Sequence, residues 1–221
     1  MRFTSEESSM KNRTATLAVT LLIAVFFAGC GATRPSHYYH LTVLEGSKSA
    51  ADQQPLPVTL LVSPFNASHL YREDRIVYGT QHEEMGTYQF ERWSEPPTEM
   101  LDEILVRHLR RSGHYRQVYS LHSTSRGDYL LRGHLYDLKE LASGSGLMAR
   151  VSFEAELLDS KTKNTLWTHS YTHDEPVGGK DVAAVVSALN RNVQAGVGDL
   201  TASLEQYFAA HPPAPAAVSD N

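Results

Sequence analysis

The sequence predicts an α/β domain, and three observations lead there. An apolar strand, an amphipathic helix and a second strand follow one another between Val58 and Tyr119, an order that fits a right-handed crossover. Leu147–Leu158 alternates apolar and polar residues with a period of two, the mark of a half-buried strand. A final stretch, about Asp181–Ala209, repeats its apolar residues at the helical period.

The chain opens with a leader. Lys11 and Arg13 precede the apolar run Thr14–Ala28, which is shorter than the ~20 residues a spanning helix needs. A basic start, a short apolar centre and small residues at the end make a signal peptide, residues 1–29. The run closes on Phe27-Ala28-Gly29-Cys30, which resembles a bacterial lipobox, with Phe27 where leucine is usual. Cys30 is the chain's single cysteine, so no internal disulfide can use it. Lipidation of Cys30, with two or more acyl chains such as palmitate, would give stable anchoring. The alternative is an uncleaved anchor with a chance cysteine. Gly31 follows in place of the aspartate typical of inner-membrane retention, which points to the periplasmic face of the outer membrane.

The elements follow in order. Residues 30–37 form a lipidated tether. Tyr38–Leu44 is rich in aromatic and β-branched residues and reads as a strand. Glu45–Pro57 holds Gly46, Pro55 and Pro57 and reads as a loop. Val58–Val62 is a short apolar run, a strand buried on both faces. Arg75–Gly79 and Thr87–Arg92 are two further strands around the polar turn Gln81–Gly86. A helix over Pro96–Ser112 carries Leu101, Ile104, Leu105 and Leu109 on one stripe, with Ser94 as its expected N-cap and Gly113 as its stop. Tyr115–Tyr119, Asp128–Leu138, Leu147–Leu158 and Thr165–His173 are the remaining strands, the last three a meander. The closing helix presents Val182, Val185, Val186, Leu189, Val193, Val197, Leu200, Leu204 and Phe208. Residues 38–210 are therefore expected to form one domain, and 211–221 a disordered tail.

Charge narrows the partners. The 221-residue chain has a formal net charge of −5, and no run of bases interrupts it. That argues against a nucleic-acid partner, which needs a basic face. Among eleven histidines the best metal pair is His169 and His173. On a strand these residues stand ~13 Å apart, too far to share one ion. Ser143-Gly144-Ser145-Gly146 lacks the spacing and the strand-to-helix setting of a nucleophile elbow and reads as a hairpin connection. Gly196-Val197-Gly198 lies inside a helical pattern, so it fails as a nucleotide-binding turn. Glu154 and Glu156 share a solvated strand face. No catalytic, metal or cofactor residue is assigned, and Cys30 is the one site residue.

The order of short motifs carries a resemblance. Tyr38-Tyr39-His40-Leu41 follows the lipobox closely. Then come Ser63-Pro64-Phe65, Leu70, Asp74-Arg75-Ile76-Val77-Tyr78, Arg92-Trp93-Ser94-Glu95-Pro96-Pro97, Ser112-Gly113-His114-Tyr115 and Asp128-Tyr129-Leu130-Leu131. In this order they resemble the ABC-type transport auxiliary lipoproteins over nearly the whole mature chain. The resemblance implies a mixed β-sheet flanked by helices, similar to the anticodon-binding-like sheet of the Tol-system translocation protein's N-terminal domain. It implies a non-enzymatic subunit of an envelope lipid transporter, working beside an MCE-domain protein and inner-membrane ABC transporter or permease components, with a homo-oligomeric ring as one arrangement. A structural lipoprotein assisting outer-membrane assembly or cell-wall attachment is the competing reading. Leu70–Tyr78 and Phe90–Pro97 are expected to form the working surface or the packing beneath it, with Trp93 in the core.

Overall fold

In the computed structural model, which describes residues 34–42, 54–80, 84–121, 126–144 and 146–213, eleven main elements follow one another. They are β1 (His37–Tyr39), β2 (Leu56–Val62), β3 (Asn66–Ala67), β4 (Arg75–Thr80), β5 (Met85–Trp93), α1 (Pro97–Ser112), β6 (Tyr115–Ser120), β7 (Tyr129–Ser143), β8 (Gly146–Asp159), β9 (Thr165–Pro176) and α2 (Val182–Ala210). A short 3-10 turn, His69–Tyr71, precedes β4. Residues from Ser36 onward form one compact unit. The leader 1–29, Cys30, most of the Glu45–Pro57 loop, part of the Gln81–Gly86 turn and the tail beyond Pro213 lie outside the described residues.

All nine strands join one mixed sheet. β7 lies at its centre. Along one edge it pairs antiparallel with β8, which pairs antiparallel with β9. Along the other edge it meets three strands in turn, all parallel. β2 pairs with Tyr129–Leu131, β3 with His134 and Leu135, and β4 with residues 139–142. β6 continues the sheet beyond β2, in parallel. β5 lies antiparallel beside β4, and β1 parallel beside β5. The parallel β2–β6 pair is the one expected of the strand–helix–strand passage.

Several boundaries differ from the sequence reading. β1 ends at Tyr39 because the next free N–H groups find side-chain acceptors. Leu41 N–H donates to Met100 Sδ (3.4 Å) and Thr42 N–H to Asn190 Oδ1 (3.0 Å). β7 runs to Ser143 rather than Leu138. A one-residue bulge at Tyr136 shifts its register, so Leu135 faces Phe153 while Asp137 faces Ser152. The period of two breaks there, two residues before the sequence reading stops. β9 continues to Pro176, which pairs with Met148. Ser94 does not cap α1. The N-cap is Pro96, whose carbonyl accepts from Glu99 and Met100, while Ser94 Oγ is 2.8 Å from His40 Nδ1.

Both helices feed one buried cluster. α1 lies against β6 and ends on Gly113 at φ 70°, a left-handed turn that glycine makes without strain. α2 is capped by Asp181, whose carboxylate accepts from Ala184 N–H at 2.8 Å. It lies on Ala149, Val151, Phe153, Ala155 and Leu157 of β8, all at most 2% exposed. Asn192, fully buried on α2, ties three elements together. Its Nδ2 donates to the carbonyls of Ala149 and His173, both at 2.8 Å, and its Oδ1 accepts from Tyr171 OH at 2.8 Å. One turn later Gly196 lets the helix approach closely. A Cβ there would stand 2.8 Å from the Tyr171 ring and 2.9 Å from the Phe153 ring. Gly196→Val therefore overpacks a rigid aromatic stack, and a loss of about 1–3 kcal/mol in denaturant unfolding is expected.

Candidate functional site

The family-like motifs converge on a few joints of the sheet. The first is the β1–β5–β4 edge. His37, Tyr38 and Tyr39 pair with Glu91, Arg92 and Trp93, and Arg75 pairs with Arg92. Arg92 Nη1 holds both Asp74 carboxylate oxygens, at 2.7 and 3.0 Å. Trp93 N–H donates to Asp74 O (2.6 Å), and Ser94 N–H to Tyr39 O (2.7 Å). Trp93 is fully buried, in the core as the sequence reading expects. Its indole N–H finds no acceptor among the described residues. Burial, then the hydrogen bond and charge of Glu91, pushes the Tyr39 phenol up to about 12.

The second joint links α1 to the loop after β2. Ser63 N–H donates to Leu131 O (2.8 Å), and Phe65 N–H to Asp102 Oδ1 on α1 (2.8 Å). The Phe65 ring occupies the space a side chain at Gly133 would need, and meets Phe153 edge-on at 6.1 Å. Burial pushes the Asp102 carboxyl up to about 7, against the Phe65 N–H, which favours the anion. Asp102 was not singled out in the sequence, yet it lies one turn from Thr98 and one turn from Val106, both buried. A carboxylate inside a buried stripe signals a specific donor.

The remaining motifs are joints of the same kind. Ser112 Oγ donates to Leu109 O and accepts from His114 N–H, while His114 O accepts from Leu56 N–H. Asp128 Oδ2 accepts from Thr59 N–H, and Asp128 N–H donates to Thr59 O, both at 2.8 Å. Within Leu70–Tyr78, Tyr71, Ile76 and Val77 are buried, and Tyr71 OH donates to Asp137 Oδ1 at 3.1 Å.

The other sequence candidates have partners of their own. His169 meets Asp199 at 3.0 Å and His173 meets Glu175 at 3.7 Å, both on strand β9. Among the described residues no group of three or more His, Cys, Asp or Glu could hold a metal ion. Glu156 pairs with Arg132 (2.6 Å), and Glu154 accepts from Ser170 (3.1 Å). Ser143 and Gly146 face each other at the β7–β8 hairpin. Gly196 and Gly198 stand inside α2. A shallow pocket of about 240 Å³ includes Arg116, Asp128, Asp159 and Lys161. Its acids are already engaged, Asp128 by Thr59 and Arg116, Asp159 by the N–H groups of Lys161 and Thr162. Cys30 lies outside the described residues.

Fold and joints together define a mixed-sheet α/β domain whose motifs hold the sheet's seams closed. The chain belongs to the family of ABC-type transport auxiliary lipoprotein components, whose model matches residues 39–200. Its fold is similar to that of protein XCC0632 from Xanthomonas campestris, at 22% identity and a TM-score of 0.72, over 80% of this chain and 98% of that one. A second similar structure, an uncharacterized protein, shares 13% identity at a TM-score of 0.60, over 77% and 99% of the two chains. No curated protein matches the sequence.

Two outcomes test the joints. Trp93→Ala should cost about 3–5 kcal/mol in denaturant unfolding, and Trp93→Phe much less, because the indole N–H has no bond to lose. Asp102 binds its proton more tightly folded than unfolded, so its contribution is present at acid pH and lost as pH rises through about 7. Asp102→Asn keeps an acceptor for Phe65 and removes that loss. Between about pH 4 and pH 8 the variant should gain about 1–2 kcal/mol relative to the parent, because solvent at the partly exposed carboxylate screens the rest.

Proposed function

We propose that this chain is a lipid-anchored, non-enzymatic subunit of an envelope lipid transport system. Cys30 carries the acyl chains, residues 31–36 tether the domain, which begins one residue earlier than the sequence reading has it, with His37 in β1, and the domain stands on the periplasmic face of the outer membrane. There it docks the conduit formed by an MCE-domain protein that is served by inner-membrane ABC transporter or permease components. The observation that carries this reading is the family membership over residues 39–200, joined to a lipobox placed just before it. The short spacing between the two accords with it: β1, hydrogen-bonded into the sheet, begins seven residues after Cys30 in the sequence. A non-enzymatic role accords with motifs whose polar groups close seams of the sheet.

Metabolic labelling with palmitate tests the anchor: the parent chain should incorporate label and Cys30→Ala should not. Crosslinked envelopes then test the partner. Pull-down of the parent should recover an MCE-domain protein and Cys30→Ala should recover much less; repeated recovery of unrelated proteins would sink the transport reading.

A further inference from the structure

The margins of the sheet are unequal. β1 has three residues and β6 six, while β9 has twelve and pairs with β8 alone. A long edge strand is a template for another chain unless lysines, prolines or inward charges blunt it. From Leu166 to Glu175, β9 holds no lysine, arginine or proline.

One bond shows which backbone groups of β9 face outward. Met148 pairs with Pro176, and at the next position Val177 N–H donates to Leu147 O at 3.0 Å. Antiparallel pairs alternate between those that exchange bonds and those that do not. Odd-numbered residues of β9 therefore aim N–H and C=O at β8, and even-numbered ones aim them away. Leu166 is the extra residue where the register shifts between Leu157 and Leu158, and Pro176 has no N–H. Thr168, Ser170, Thr172 and Asp174 remain, and no described strand takes their outward groups.

These four residues are symmetric about Tyr171. Lay a second β9 antiparallel to the first, with Tyr171 opposite Tyr171. Ser170 then faces Thr172 of the second copy, Thr168 faces Asp174, and each pair exchanges two backbone bonds. The bulged Leu166 and Pro176 fall opposite each other at the ends. The side chains fit the same register. On the open face, exposed Ser170 and Thr172 make a favoured hydroxyl pair, and the Thr168 hydroxyl meets a carboxylate. On the helix face, His169 meets His173 and Glu175 meets Trp167, so no carboxylate opposes another. α2 lies over both β8 and β9, and strands are ~4.8 Å apart, so the two copies of α2 would stand about 10 Å apart, an ordinary packing distance. Exposed Arg191 and Asp199, which hold Glu175 and His169 of β9, lie one turn either side of exposed Ala195. Antiparallel copies of α2 set these unlike charges opposite each other.

We infer that β9 is a self-association edge, through which two copies of this chain join antiparallel about a two-fold axis at Tyr171. The pairing consumes the same edge on both copies, so it closes at a dimer.

The full chain in non-ionic detergent is followed by sedimentation equilibrium and by hydrogen exchange. The parent should dimerise, with the amides of Thr168, Ser170, Thr172 and Asp174 protected in the dimer. Ser170→Lys combined with Thr172→Lys changes only exposed side chains and puts like charges opposite across the axis. It should weaken the dimer about tenfold and free those four amides. Ser170→Lys combined with Thr172→Asp puts unlike charges in the same places and should keep both the dimer and the protection. A parent that stays monomeric at every concentration overturns the inference. So does an assembly indifferent to the lysine pair, or one lost equally in both double variants. Protection of the four amides only when a different protein is added overturns it too, since the edge would then serve a foreign strand.

Discussion

A strand has two edges, and in this fold both edges of β7 are filled along most of fifteen residues. One edge is given to a single antiparallel neighbour. The other is divided among β2, β3 and β4, none of which pairs with another of the three. Every remaining strand reaches the sheet through one of these four. The bulge at Tyr136 falls between the β3 and β4 segments and re-aims the strand as it passes from one partner to the next. Leu131, Leu135 and Leu138, nearly inaccessible, keep β7 in the common core on either side of that change.

The polar groups of the family motifs make sense against that division. A sheet whose central strand changes partners leaves N–H and C=O groups at each handover, and such groups must be paired if buried. Asp128 meets Thr59 where β7 starts beside β2. Leu131 O takes Ser63 N–H where β2 ends. Asp102 takes the Phe65 N–H on the way to β3, and Asp74 O takes Trp93 N–H where β5 leaves β4. Their chemistry is that of acceptors at seams, which explains why no nucleophile, base or ligand set could be assembled from them on paper.

How much was legible follows from what each residue reports. β8 was read almost to the residue because one of its faces lies under α2 while the other faces water, so burial is written as alternation. α2 was read for the same reason, at the helical period. β7 was read to Leu138, two residues past its bulge, and no further, since one inserted residue reverses the code. β1 was read too long because aromatic and β-branched residues favour strands in general, whereas its end is set by Met100 and Asn190, far along the chain. Ser94 had the right chemistry for a cap and a better partner in His40. The division of β7 among three parallel strands leaves no local trace, because pairing across the sheet depends on residues dozens of positions apart. The lipobox reading at Cys30 is of another kind, since it rests on linear sequence alone and lies outside the described residues.

The late position of β7 in the chain has a consequence in time. When the chain has emerged as far as Ser120, β2 and β6 can pair, and so can β1, β5 and β4, but no strand pairing joins the two groups. The emerging chain would then present two half-sheets with open inner edges, on β2 and on β4, each a template for unwanted pairing. Both edges are closed by one strand, and it emerges after all the others it joins there. Protection of the first half is thus a matter of waiting for the second, and any pause in the chain's emergence between residues 121 and 143 would lengthen the exposure of both edges together.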